Sequence, residues 1–170
     1  MKKLKGDLLM LQKGFICHQV NVNGKMGAGL ALQIRNKWPI VYKEYVELCD
    51  RYRNKQSELL SQTQLIPIDD NLGIINLFGQ YLNRHERPTR YDAVANAFEG
   101  MCRFHRYLDK GKFLYIPKYM GCDLAKGVWD IYLSIVTHYM PLVNVVEYEK
   151  GKEVYDPDKI NEFKGMSIIL

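Results

Sequence analysis

Short apolar runs alternate along this chain with longer stretches of helical spacing, and that alternation confines it to the α/β layer folds. Leu4–Leu11 and Gly14–Val20 are short and apolar and read as strands. Asn21–Met26 is polar and turn-rich, and Gly27–Trp38 then sets Leu30, Ala31, Ile34 and Trp38 near one helical face. Pro39 turns the residue before it away from the α conformation, so the helix breaks there. Ile40–Arg53 restarts it on a stripe of Val41, Tyr45 and Leu48. Leu65–Ile68 and Gly73–Phe78 read as strands joined by the hairpin-type turn Asp69-Asp70-Asn71. Gln80–Arg90 reads as a basic loop. Tyr91–Leu108 is the longest helical pattern, with Val94, Phe98, Met101, Cys102 and Leu108 inward. A strand (Lys112–Ile116), a loop (Lys118–Gly127), a helix (Val128–Met140) and a strand (Leu142–Tyr148) follow. The expectation is one domain over residues 1–170, with a mixed sheet, a core over 1–148 and a tail over 149–170 docked on the body. Ile168-Ile169-Leu170 would form an edge strand.

Composition removes several classes of function. No apolar run approaches the roughly 18–20 residues that span a bilayer, and the basic start at Met1–Lys5 lacks a signal-peptide pattern. The expectation is a cytoplasmic monomer without a membrane partner. A net charge of +5 suits an anionic ligand without demanding nucleic acid. The Arg84–Arg90 run comes without an RNA-binding signature, so nucleic acid ranks last among partners. The four cysteines, Cys17, Cys49, Cys102 and Cys122, form no C-x-x-C pair or zinc-type spacing. Cys17, Cys49 and Cys102 read as small buried thiols. No metal or cofactor is expected.

Two glycine loops share one physical logic. In His18–Ala31 a buried strand runs into a loop that opens a helix at Gly27-Ala28-Gly29. Small residues let a ligand approach the backbone, and first-turn N–H groups favour negative charge. Pro117–Gly127 also lies between a strand and a helix. Loops at the carboxyl ends of sheet strands line one crevice, and two anion-accepting loops there suit a pyrophosphate. Neither is a P-loop or a Rossmann fingerprint. Asn76–Tyr81 ends a strand with polar amides beside Gly79. Asp7, polar within an apolar segment, is an acceptor suited to an exocyclic amine.

Taken together, Gly6-Asp7-Leu8, the His18–Ala31 stretch with Met26-Gly27-Ala28-Gly29, Asn76–Gln80, and Gly121–Gly127 followed by Trp129 resemble the macrodomain family. Within it they resemble the branch of ADP-ribose-1″-phosphate phosphatases and the terminal ADP-ribose protein glycohydrolase. The resemblance implies a three-layer α/β/α fold and an ADP-ribose-type ligand. By position it implies that Asp7, with Leu8 beside it, holds the adenine amine, and that Asn21 and Asn23 face the distal ribose. Met26, Gly27, Ala28 and Gly29 would supply backbone contacts to ribose and phosphate. Gly121, Cys122, Leu124, Ala125, Lys126 and Gly127 would wrap the pyrophosphate. Gln80 stands where the glycohydrolase branch carries an attacking lysine, and Ala125 where it carries a catalytic aspartate. These departures oppose lysine-dependent deacylation. They leave hydrolysis of ADP-ribose 1″-phosphate as the first reading. A non-catalytic ADP-ribose binder, or a de-ADP-ribosylating hydrolase with an altered site, are the alternatives. Asp123 is the expected general base and His18 the expected proton donor, in a metal-independent reaction.

Overall fold

The computed structural model describes residues 1–81, 89–104 and 106–157, without the side chains of residues 104, 106 and 107. Among the described residues six strands form one sheet: β1 (Lys2–Gly6), β2 (Gly14–Asn21), β3 (Thr63–Pro67), β4 (Leu72–Gln80), β5 (Leu114–Pro117) and β6 (Asn144–Tyr148). Their spatial order is β1-β6-β5-β2-β4-β3. Every neighbouring pair is parallel except β3 with β4, the predicted hairpin. Asp69 Oδ1 holds that turn, accepting from the N–H groups of Asn71 and Leu72.

Among the described residues five α-helices cover the sheet: α1 (Gly29–Lys37), α2 (Pro39–Arg51), α3 (Gln56–Leu59), α4 (Tyr91–Phe104) and α5 (Trp129–Tyr139). Alternation along the strands sorts the core into two layers. Ile16, Val20, Ile74 and Phe78 pack on Ile34, Val41, Tyr45 and Leu59 of α1–α3. Cys17, Ile75, Leu77 and Ile116 pack on Val94, Phe98, Met101, Tyr132 and Val136 of α4 and α5. The sheet is mixed and the layering is α/β/α. The break at Pro39 stands where expected, with Trp38 capping α1 and Pro39 opening α2, where its missing N–H costs no bond.

Three expectations are corrected. Leu4–Leu11 is not one strand: β1 stops at Gly6, and Leu8–Met10 is a 3-10 turn capped by the Asp7 side chain. The Tyr91–Leu108 pattern ends as an α-helix at Phe104, and Arg106–Gly111 is a separate 3-10 turn with left-handed residues at Asp109 and Lys110. Cys102 is exposed, because it falls off the face that carries Val94, Phe98 and Met101. Helix α3 was not anticipated. The expected Ile168–Leu170 strand, His85, His105 and residues 82–88 of the basic loop lie outside the described residues. Among the described residues no helix is long and apolar enough to cross a membrane.

Candidate functional site

A cleft of about 460 Å³ opens at the carboxyl ends of β2 and β5. The two glycine loops form its walls. From the first come Asn21, Gly27, Ala28 and Gly29, with Leu30 and Ala31 of α1. From the second come Gly121, Cys122, Asp123, Leu124 and Ala125, with Tyr119 and Met120. His18, Gln19 and Val20 at the end of β2, Gln80 at the end of β4, and Lys25, Pro117 and Lys118 also line it.

The first loop is built by Asn21. A register shift between Val20 and Asn21 turns the chain out of the sheet. Asn21 Oδ1 then accepts from the N–H groups of Asn23 and Lys25, and its Nδ2 donates to the Lys25 carbonyl at 2.6 Å. Tyr45 of α2 locks this turn from below. Its hydroxyl lies 2.7 Å from the Asn21 carbonyl and 2.9 Å from Asn21 Oδ1, and accepts the Lys25 N–H at 3.0 Å. Met26 anchors the far side with a fully buried side chain. Ala28 caps α1 with no side-chain hydrogen bond, and the first turn of α1 carries no acidic residue. Its N–H groups therefore face the cleft with the positive end of the helix dipole. A methyl group at Gly27 would touch nothing within 4 Å, so the fold does not require glycine there.

The second loop is held from a distance. Thr89 Oγ1 donates to the Gly121 carbonyl at 2.8 Å and accepts from Gln19 Nε2 at 3.0 Å. The Thr89 N–H donates to the Ala125 carbonyl. Gly121 has φ +74°, and a Cβ there would lie 2.7 Å from both Gln19 Oε1 and the Tyr132 ring. Only glycine fits that position without displacement. Asp123 and Leu124 stand at the exposed rim, Leu124 being 67% exposed. Burial raises the Cys122 thiol above its ordinary value, which opposes a nucleophilic thiolate.

His18 is 2% exposed, and its Nε2 sits 2.7 Å from Asn76 Oδ1. Burial lowers the imidazole to about 4, against the opposing effect of its hydrogen bond with Asn76 Oδ1. The ring is neutral at neutral pH, with Nε2 engaged by Asn76 and Nδ1 without a partner among the described residues.

Six expected ligand contacts lie outside the cleft lining: Asp7, Leu8, Asn23, Met26, Lys126 and Gly127. Asp7 accepts from the N–H groups of Leu9 and Gly151, one to each oxygen. The Gly127 N–H donates to the Gly121 carbonyl and closes the second loop. Gln19, Thr89, Tyr45, Leu30 and Ala31 escaped the sequence reading. Gln19 sits between two predicted site positions, which was the one available signal. Thr89 and Tyr45 act across distant parts of the chain and left none.

The fold is a mixed α/β/α sheet with two glycine loops beside one crevice at its carboxyl edge. No family model matches the chain. It is 36% identical over 66 residues to a protein of Meyerozyma guilliermondii named ADP-ribose 1″-phosphate phosphatase, covering 37% of this chain and 38% of that one. It is 38% identical over 79 residues to a protein of the same name from Candida glabrata, covering 44% and 42%. The chain thus spans about two fifths of the length of these curated relatives. Among solved structures, a macrodomain protein from Streptomyces coelicolor matches with TM-score 0.67 at 21% identity, over 88% of this chain and 100% of that one. Thermosipho africanus DarTG in complex with ADP-ribose matches with TM-score 0.67 at 15% identity, over 91% and 43%. The fold is that of a macrodomain, and the resemblance to the macrodomain family holds in both fold and sequence.

Proposed function

We propose that the cleft binds an ADP-ribose-type ligand and that the protein hydrolyses ADP-ribose 1″-phosphate to ADP-ribose and phosphate. One observation carries this reading: two glycine loops from the adjacent parallel strands β2 and β5 face each other across one cleft, with the uncapped start of α1 between them. The names of the curated relatives and the ADP-ribose complex of a structural neighbour support it.

In this reading the amides of Gly27–Gly29 and of Asp123–Ala125 take the phosphates, and Met26 holds the first loop in place from the core. Asn21 shapes the wall that Asn23 extends toward the distal ribose. Lys126 and Gly127 support the second loop, Lys126 adding positive charge at its rim. Asp7, beside Leu8, serves the adenine end. Two of its acceptor sites are occupied, and a carboxylate with about four leaves room for an amine. Asp123 takes a proton from a water whose oxygen bonds to phosphorus. The bond from phosphorus to the C1″ oxygen breaks, and that oxygen takes up a proton from solvent or from Asp123. Backbone amides preorganised around the phosphoryl oxygens supply most of the stabilisation.

Gln80 and Ala125, in place of the lysine and aspartate of the glycohydrolase branch, favour a pure binder as the second reading. A phosphorus-31 NMR time course with ADP-ribose 1″-phosphate separates them. Growth of free phosphate, abolished in Asp123→Asn, supports the phosphatase. Broadened pyrophosphate signals without phosphate release support the binder. An unchanged spectrum overturns both.

A further inference from the structure

Three strands carry a polar row beneath α1 and α2. Register sets His18 of β2 opposite Asn76 of β4, and Asn76 opposite Gln64 of β3. Gln64 Nε2 donates to the Glu44 carbonyl of α2 at 3.0 Å, Asn76 Nδ2 donates to Gln64 Oε1 at 3.0 Å, and Asn76 Oδ1 meets His18 Nε2 at 2.7 Å. A backbone carbonyl can only accept. It therefore dictates which end of Gln64 faces it. Gln64 then presents its oxygen to Asn76, Asn76 presents its oxygen to His18, and His18 must carry its proton on Nε2. The orientation of a buried amide pair thus passes from α2 across two strands to an imidazole. The other ring nitrogen, Nδ1, is left as a bare lone pair. It is buried, has no partner among the described residues, and belongs to a residue on the cleft floor beside Leu30 and Ala31.

We propose that Gln64 and Asn76 are positioning residues that fix His18 in the Nε2–H tautomer, so that Nδ1 accepts a hydrogen bond from a hydroxyl of the bound ligand. The second half rests on the reading that the cleft takes an ADP-ribose-type ligand. Ionised phosphate oxygens only accept, and two acceptors repel. The floor at His18 is therefore the place for a ribose hydroxyl, and the phosphates lie against the backbone amides of the loops. An unmet buried acceptor is costly, so the site discriminates against ligands that lack a donor at that point.

The test is a long-range proton–nitrogen correlation spectrum of the full chain with nitrogen-15 histidine, assigned with His18→Gln and recorded at pH 7 with and without ADP-ribose. The expected result is the Nε2–H tautomer for His18 in the free protein, and an upfield shift of Nδ1 on saturation with ADP-ribose. In Asn76→Leu the tautomer becomes mixed and ADP-ribose affinity falls about tenfold. Gln64→Leu, which leaves the His18 contact itself intact, shifts the tautomer in the same direction by less. An Nδ1–H tautomer or an imidazolium in the free protein overturns the relay. The Nε2–H tautomer with bound ADP-ribose but an unmoved Nδ1 overturns the acceptor role. Absence of ADP-ribose binding in calorimetry overturns the proposed ligand, while the tautomer result decides the relay by itself.

Discussion

The loop after β2 and the loop after β5 face the same cleft but are held in opposite ways. The first is knitted from inside by Asn21 and fastened by Tyr45 and Met26. The second hangs from Thr89 and Gln19, and its Asp123, Leu124 and Lys126 stand in solvent. Under the proposed function the contrast is a division of labour: a rigid wall to fix the ligand, and a tethered wall to bring the Asp123 carboxylate to it. Rigidity suits binding, since a preorganised surface loses less freedom on association.

The largest expected effect lies in the second wall. Asp123→Asn keeps the loop's backbone bonds and removes the base. Phosphate release is expected to fall about 10²–10⁴-fold, with ADP-ribose affinity by calorimetry within about twofold by analogy with rim charges of little net worth. An equal loss of affinity and rate would mean that Asp123 positions the ligand and would erase the contrast.

Acid should destabilise the protein through His18 at the base of the first wall. Because His18 is lowered to about 4 from an ordinary 6.5, the unfolded chain binds its proton first. Stability from this group is complete above pH 6.5 and is lost as pH falls toward about 4. The loss approaches roughly 3 kcal/mol at about 1.4 kcal/mol per pH unit. Urea melts between pH 7 and 4 should show this slope, and His18→Gln should flatten it.

Three smaller effects sharpen the comparison. Tyr45→Phe strips the first wall of its fastening and should cost about 1–3 kcal/mol in thermal melts, since it leaves buried groups unpaired. Thr89→Val acts on the second wall and should cost less in stability, while slowing phosphate release more than Tyr45→Phe does. Gly27→Ala should change stability by no more than about 0.5 kcal/mol, yet weaken ADP-ribose binding, because its methyl group points into open space that the ligand would fill.

The strands, the break at Pro39 and both glycine loops were legible because each is a local matter of apolar period, proline geometry or turn chemistry. The error at Leu4–Leu11 arose because apolar content continues through Leu8–Met10 while Asp7 diverts the backbone by capping a turn. A run of hydrophobic residues does not reveal such a cap. Within the site, residues that line the cleft through backbone position, such as Gly27 and Gly121, could be read. The state of His18 could not, because it is set by Asn76 and Gln64 on other strands. Nor could the commitment of Asp7 to Gly151, 144 residues away.

That last contact belongs to a larger arrangement. Lys5 and Tyr155 exchange N–H···O bonds in an antiparallel bridge, and the Asp7 N–H donates to the Lys152 carbonyl. The stretch after β6 thereby covers the outer side of β1 with its own backbone. An uncovered strand margin invites pairing with another chain and so aggregation. Here that invitation is withdrawn on one side of the sheet. The opposite margin, β3, is only five residues long and ends at Pro67, whose ring removes a donor and blunts it as a template for a foreign strand.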